Sequence, residues 1–243
     1  MKTQKSAAPS KKTKEALAAG PAAGVRRKII LVDDHPMMRA GMSQLINKQE
    51  DLEICAEAGD PAEAFEKLST TKPDLILTDI TMPGRSGIEF IKDLLAMQAD
   101  LRILVVSMHD ENLYAERVLR AGARGYIMKE SGGENLLLAI RQVLSGQVYV
   151  SSTMSAKILG NLSSRKPRGS TSPIEKLSDR EFEIFQLIGH GKGTREIAGE
   201  LHLSPKTVEV HRAHIKEKFG LKDAPSLVHH AIRWVEAEGK EGV

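Results

Sequence analysis

Five side chains in the first half of the chain are of types that could work together on a charged, oxygen-rich ligand: Asp33, Asp34, Asp79, Ser107 and Lys129. The apolar run Leu75-Ile76-Leu77 ends on Thr78 and a single carboxylate, Asp79, followed by a Met82-Pro83-Gly84 turn. Taken alone, such an Asp caps a turn amide as readily as it binds a ligand. Three carboxylates converging on one pocket repel each other strongly unless a cation neutralises them. A set of oxygen ligands selects a hard cation, and Mg2+ with retained waters is the natural candidate. Ser107 adds a hydroxyl, and Lys129, after Tyr126-Ile127-Met128, adds a flexible ammonium. Each residue alone is weak evidence, whereas the ordered set is coherent.

The elements around these residues must bring them to one edge. From Lys28 onward there are five short apolar runs: Ile29–Val32, Leu52–Ala56, Leu75–Leu77, Ile103–Val106 and Gly125–Ile127. Segments of helical spacing lie between them, such as Met38, Met42, Leu45 and Ile46, and the last is Glu134–Leu144. Strands alternating with helices of this length predict right-handed βαβ units in an α/β fold, a five-stranded doubly wound parallel sheet. Near-continuous apolar strands fit a sheet covered on both faces. In such a sheet the first and third strands lie side by side, and ligands bind outside their carboxyl ends. Asp33-Asp34 and Asp79 stand there, with Ser107 ending the fourth strand and Lys129 following the fifth.

Lys28 to about Val148 resembles the receiver domain of two-component response regulators, which is flavodoxin-like. The resemblance rests on Asp33-Asp34, on Asp79 with Met82-Pro83-Gly84 and Gly87, on Ser107, and on Ala123-Arg124-Gly125-Tyr126 leading to Lys129. It implies that Asp79 is the phosphoacceptor, taking its phosphoryl group from a phosphohistidine of a sensor histidine kinase. It implies Asp34, Asp79 and the backbone carbonyl of Thr81 as direct Mg2+ ligands, with Asp33 acting chiefly through water. Lys129 would pair with the phosphoryl oxygens and Ser107 would hydrogen-bond to one of them. Tyr126 is then the switch, rotating inward into the space that Ser107 vacates. Phosphoryl transfer needs positioning and charge neutralisation, which a carboxylate beside Mg2+ and a lysine supplies. Thr81 and His109 occupy positions where the family varies the lifetime of the phosphoryl group. An aspartyl-phosphate phosphatase needs a second acid two residues past its nucleophile, and here that residue is Thr81. The chain is therefore expected not to be an enzyme beyond its own phosphotransfer and dephosphorylation.

A second, all-α module begins near Leu177. Ser178 and Glu181 stand at capping-box spacing ahead of Phe182, Phe185 and Leu187, and Gly189 and Gly191 close that helix. A short helix Thr194–Leu201, a turn at His202-Leu203-Ser204, a helix Pro205–Phe219 and a last helix Ala224–Glu236 are predicted, with Ser204 as cap and Pro205 at the first helical position. This pattern suggests a helix-turn-helix. It resembles the LuxR-type domain of the NarL/FixJ family on Glu196-Ile197-Ala198, Leu201, Leu203-Ser204, Thr207 to His211 and Lys218-Phe219-Gly220-Leu221. The resemblance makes Pro205–Phe219 the recognition helix. Lys206, Thr207, His211 and Arg212 suit phosphate oxygens, and Glu209 and Val210 suit a cytosine amino group and a thymine methyl. Ala213 and His214 lie on the same outward face. Glu209 and Ala213 stand where some relatives carry lysines, so no base preference carries over. Six histidines fall in this module, and their spacing matches no compact metal set.

Charge is uneven along the chain. Residues 1–27 carry seven Lys/Arg against one Glu, residues 28–150 carry 13 against 19, and residues 151–174 carry four with no acid. The expected organisation is a disordered basic tail (1–27), a receiver (28–148), a linker (149–174) holding one short helix at 151–162, and the DNA-binding domain (175–243). That last module carries 11 Lys/Arg against 12 Asp/Glu, so one copy should bind DNA feebly and a homodimer should supply affinity. Cys55 is the only cysteine, which excludes an intrachain disulfide, and it reads as a small core residue. No apolar run approaches the roughly 20 residues of a membrane span. The expectation is a cytoplasmic regulator with a sensor histidine kinase and double-stranded promoter DNA as partners and RNA polymerase as a further candidate. Its unphosphorylated receiver should restrain the recognition helix.

Overall fold

The computed structural model describes residues 26–82, 86–163 and 173–241. The expected basic tail therefore lies outside the described residues, except Arg26 and Arg27. Arg26 donates to the Asn47 and Gln49 carbonyls, and Arg27 opens the first strand.

Five strands and five helices alternate in the first domain. They are β1 (Arg27–Val32), α1 (Pro36–Asn47), β2 (Leu52–Ala58), α2 (Pro61–Thr70), β3 (Leu75–Thr78), α3 (Gly87–Met97), β4 (Ile103–Ser107), α4 (Glu111–Arg120), β5 (Gly125–Met128) and α5 (Gly133–Leu144). The sheet is parallel with order β2-β1-β3-β4-β5. Alternation along β1 explains the two covered faces. Ile29 and Leu31 join Met42 and Ile46 of α1 and Leu136 and Ile140 of α5, while Ile30 and Val32 face the other way. Ala64 and Leu68 of α2, Ile91 and Leu94 of α3 and Ala115 and Val118 of α4 cover that second face.

Two details differ from the sequence expectation. Cys55 is half-buried, because β1 and β2 slip register there: Ile29 pairs with Ile54 and Ile30 with Ala56, so Cys55 is the extra residue of a β-bulge. The sheet edge also continues beyond Val148, for Tyr126 N–H donates to the Tyr149 carbonyl (2.9 Å) and Tyr149 N–H to that of Arg124 (3.0 Å). The helix expected over 151–162 is α6 (Ser152–Ser163), packed on α4 with Met154 buried. Of the expected linker, residues 164–172 lie outside the described residues.

The second domain holds α7 (Asp179–Gly189), α8 (Thr194–Glu200), α9 (Pro205–Phe219) and α10 (Ala224–Glu241), the last extending past the expected end. The capping box at the start of α7 forms as expected, with Ser178 and Glu181 exchanging side-chain and backbone bonds. Ser204 caps α9, Pro205 opens it, and Gly220 closes it at φ 66°. Phe182, Phe185, Ile188, Ile197, Val208, Ile215 and Leu227 form the core. Gly189 has no side chain because a Cβ there would meet the Ala231 carbonyl oxygen at 2.6 Å, where α7 and α10 press together.

The two domains touch through α7. Arg117 on α4 donates to the carbonyls of Ile174 (2.7 Å) and Leu177 (3.2 Å), lies 3.3 Å from Asp179, and stacks 4.1 Å over the Phe182 ring. Lys92 pairs with Asp179 at 2.8 Å, Ser86 Oγ donates to Glu183 (2.9 Å), and Tyr114 donates to Gln186. These direct contacts of the first domain fall on α7 and the residues just before it, while Glu89 lies near enough to His211 on α9 to act on it through its charge.

Candidate functional site

The acidic site is built by the order of the strands. β1 and β3 are neighbours, with Val32 paired to Thr78, so the residues that follow them, Asp33 and Asp79, leave the sheet side by side. This is the switch point of the doubly wound fold. Asp79 N–H donates to the Val32 carbonyl at 2.9 Å and fixes the chain there. Lys129, delivered by β5, reaches over and stands 2.7 Å from Asp33 Oδ2 and 2.6 Å from Asp79 Oδ2. All three side chains are almost fully buried. Burial opposes the charge on Lys129, but its bonds to Asp33 and Asp79 outweigh it and raise its pKa.

Backbone amides complete the cradle. Thr81 N–H donates to Asp79 Oδ1 (2.9 Å) and His35 N–H to Asp33 Oδ1 (2.8 Å). Asp34 is more exposed and meets His35 Nδ1 at 2.8 Å. One donor atom from each of Asp33, Asp34, His35 and Asp79 lies within 4.8 Å of the others. Asp33 Oδ2 and Asp34 Oδ1 are buried, and their close partners are the Lys129 ammonium and the His35 imidazole. A dense set of carboxylate oxygens, each with a further lone pair beyond these partners, fits a hard divalent cation.

Ser107 is fully buried at the end of β4, and its Oγ accepts from His109 N–H at 3.2 Å. Tyr126 departs from expectation. Its ring already lies inside, fully buried, with the hydroxyl donating to the His109 carbonyl at 2.8 Å. Burial pushes that hydroxyl far above its ordinary pKa, so it stays a donor. The inward position expected only after modification is filled here because the hydroxyl has a partner there. Next to the site, a cavity of about 340 Å3 opens between Asp34, Thr81 and His109 on one side and Arg180, Glu183 and His202 on the other.

On α9 the expected outward face is largely open. Lys206, Glu209, Val210, Ala213 and His214 are exposed, whereas Thr207, His211 and Arg212 are half-buried and Val208 and Ile215 are core. Thr207 is tied to the Ser204 cap, and Glu209 accepts from Thr194 and lies 3.8 Å from Arg212. His211 turns Nδ1 inward, where it has no hydrogen-bond partner, instead of offering it to solvent. Sequence reasoning did not single out Tyr114, Arg117, Glu183 and Gln186. Tyr114 and Arg117 stand three apart on α4, which is the only signal they carry, and Glu183 and Gln186 on α7 carry none.

Residues 29–141 match the family described as response regulator receiver domain, and residues 175–231 match bacterial regulatory proteins of the luxR family. Over 210 residues, 85% of this chain and 97% of the relative, the sequence is 41% identical to the oxygen regulatory protein NreC of Staphylococcus aureus strain JH9. The chain belongs to the LuxR-type response regulators. A two-component response regulator of the LuxR family from Aurantimonas sp. SI85-9A1 is 34% identical over 57% of this response regulator and 99% of that chain, with a TM-score of 0.53. RcsB from Salmonella enterica serovar Typhimurium, solved bound to the promoter P1flhDC with the phosphomimetic BeF3-, shares the fold: TM-score 0.59, 23% identity, 85% of this chain and 98% of that one. The first domain is thus a receiver and the second a LuxR-type DNA-binding domain. No helix among the described residues is long and apolar enough to cross a membrane.

Proposed function

We propose that this response regulator accepts a phosphoryl group on Asp79 from the phosphohistidine of a sensor histidine kinase, then dimerises on double-stranded promoter DNA to control transcription. An Asp79 carboxylate oxygen, using a lone pair not engaged by Thr81 N–H or Lys129, attacks phosphorus, the phosphorus–nitrogen bond to the donor imidazole breaks, and that nitrogen keeps the electron pair. Asp33, Asp34, Asp79 and the Thr81 backbone carbonyl would hold Mg2+, which when bound neutralises charge on the phosphoryl oxygens. Lys129 supplies the second positive charge and Thr81 N–H orients the nucleophile. Ser107 is placed to hydrogen-bond a phosphoryl oxygen. The observation that carries this reading is Lys129 Nζ bridging Asp33 and Asp79 at the switch point. A buried ammonium between two buried carboxylates is a prepared anion site once Asp79 becomes an acyl phosphate.

On α9, Lys206, Thr207, His211 and Arg212 are assigned to phosphate oxygens, and Glu209, Val210, Ala213 and His214 to the groove. RNA polymerase is the candidate partner on the promoter, and the cytoplasm is where kinase core and DNA meet the protein. The test is a phosphate-affinity gel of the full chain with a small phosphodonor and Mg2+. A retarded band is expected for wild type and none for Asp79→Asn. Equal labelling of both would place the acceptor elsewhere.

A further inference from the structure

Outside the acidic pocket, a second group of ligating side chains converges between α7 and α9. Glu181, His211 and His214 each place a donor atom within 4.8 Å of the other two. The sequence hides this set, since Glu181 stands 30 residues before His211. The helix assembles it: residues three apart on α9 are neighbours, and half-buried His211 with exposed His214 lie on the side of α9 that borders Glu181 of α7.

We propose that Glu181, His211 and His214 form a binding site for a borderline divalent cation of the Zn2+ class. Two imidazoles and one carboxylate are a three-ligand set typical of zinc, leaving a fourth position for water. Mg2+ prefers oxygen ligands and is not selected here. Three observations support the assignment. Glu181 is buried, with Oε2 already held by Lys218 Nζ (2.6 Å) and Ser178 N–H (2.7 Å), so its carboxylate is fixed while Oε1 points toward His214 Nδ1 at 3.8 Å. His211 Nδ1 is buried with no hydrogen-bond partner, so this imidazole has an unmet ring nitrogen on the inner side of α9. The two imidazole rings are perpendicular with centroids 6.5 Å apart, leaving room between them. Donors around tetrahedral zinc lie roughly 3.4 Å apart, so Glu181 and His214, at 3.8 Å, are close to that spacing, while the set as a whole, within 4.8 Å, closes further by rotation of the exposed His214 side chain. Lys218 opposes a further positive charge and limits affinity, but it sits on the other carboxylate oxygen.

Such a cation would tie α9 to α7 and engage both histidines of the outward helix. Its effect on DNA binding rests on the function proposed above; its existence does not, so the test omits DNA. Metal-free full-length protein, with excess Mg2+ filling the acidic pocket, is titrated with Zn2+ against a chromophoric chelator. Wild type should withdraw one equivalent, and His214→Gln should bind more weakly by on the order of tenfold or more. His229→Gln, an exposed histidine on α10, should behave as wild type. Zn2+ should raise the melting temperature of wild type and not of His214→Gln. The proposal is overturned if wild type takes up no Zn2+, if His214→Gln binds as tightly, or if His229→Gln loses as much.

Discussion

The imidazole of His109 stacks on the ring of Tyr114 with centroids 4.7 Å apart, and that stack joins the acidic site to the DNA-binding domain. On the site side, His109 N–H donates to Ser107 and its carbonyl accepts from Tyr126. On the other side, Tyr114 donates to Gln186 and packs edge-on against Phe182, 5.5 Å away. A phosphoryl group that drew Ser107 toward Asp79 would move the loop carrying His109, and the stack passes that displacement to α7. Both ends are discrete contacts, as a two-state switch requires.

If α7 is the restraint, Arg117→Ala should release it. The substitution removes two carbonyl contacts, an ion pair with Asp179 and a cation–π contact with Phe182. A loss of about 2–4 kcal/mol in docking is expected, since half-buried charged hydrogen bonds are worth more than exposed ones. Small-angle scattering should show a larger radius of gyration for the variant; an unchanged radius would mean that other contacts hold the domains.

His109 makes the stack pH-dependent. Burial lowers its pKa below the ordinary 6.5, so below pH 6.5 the unfolded chain binds more protons at this residue than the folded one. The contribution is present above 6.5 and is lost as pH falls through the lowered value. Wild type should therefore lose melting temperature on acidification relative to His109→Phe, which keeps a stacked ring without a titrating group. Parallel melting curves for the two would contradict this.

Lys129→Met leaves Asp33 and Asp79 buried side by side without their ammonium. The stability cost should be about 3–5 kcal/mol in chelator, the usual consequence of breaking a buried ion pair. Added Mg2+ should restore part of it and raise the melting temperature of the variant more than that of wild type. Equal shifts would mean that the cation does not enter this pocket.

Gly87 opens α3 hard against the site loop, and a Cβ there would stand 2.3 Å from both the Cα and the carbonyl oxygen of Ile80. Backbone cannot yield as a side-chain tip can. Gly87→Ala should cost about 1–3 kcal/mol or more, as overpacking does, and displace the Asp79–Thr81 segment. Chemical denaturation measures the first, and slower labelling by a phosphodonor the second.

Much of this was legible because strand ends are local. Asp33, Asp79 and Lys129 each follow an apolar run, and the handedness of βαβ units dictates which runs become neighbours. The contacts of α7 were not legible. Tyr114, Arg117 and Gln186 belong to no motif in the sequence, and only the placement of one domain on another makes them partners. Glu181 was read as a capping residue, which it is, but its second oxygen and the inward turn of His211 depend on how α9 crosses α7. Tyr126 was identified but its resting position was not, because a rotamer is chosen by the partner available, here the His109 carbonyl.

The central claim is that modification of Asp79 controls DNA binding, and a gel shift on promoter DNA with and without a small phosphodonor and Mg2+ tests it most directly. Wild type should bind more tightly with donor, with steep concentration dependence from pairing, and Asp79→Asn should not respond. Identical binding by wild type and Asp79→Asn, with donor or without, would contradict the account.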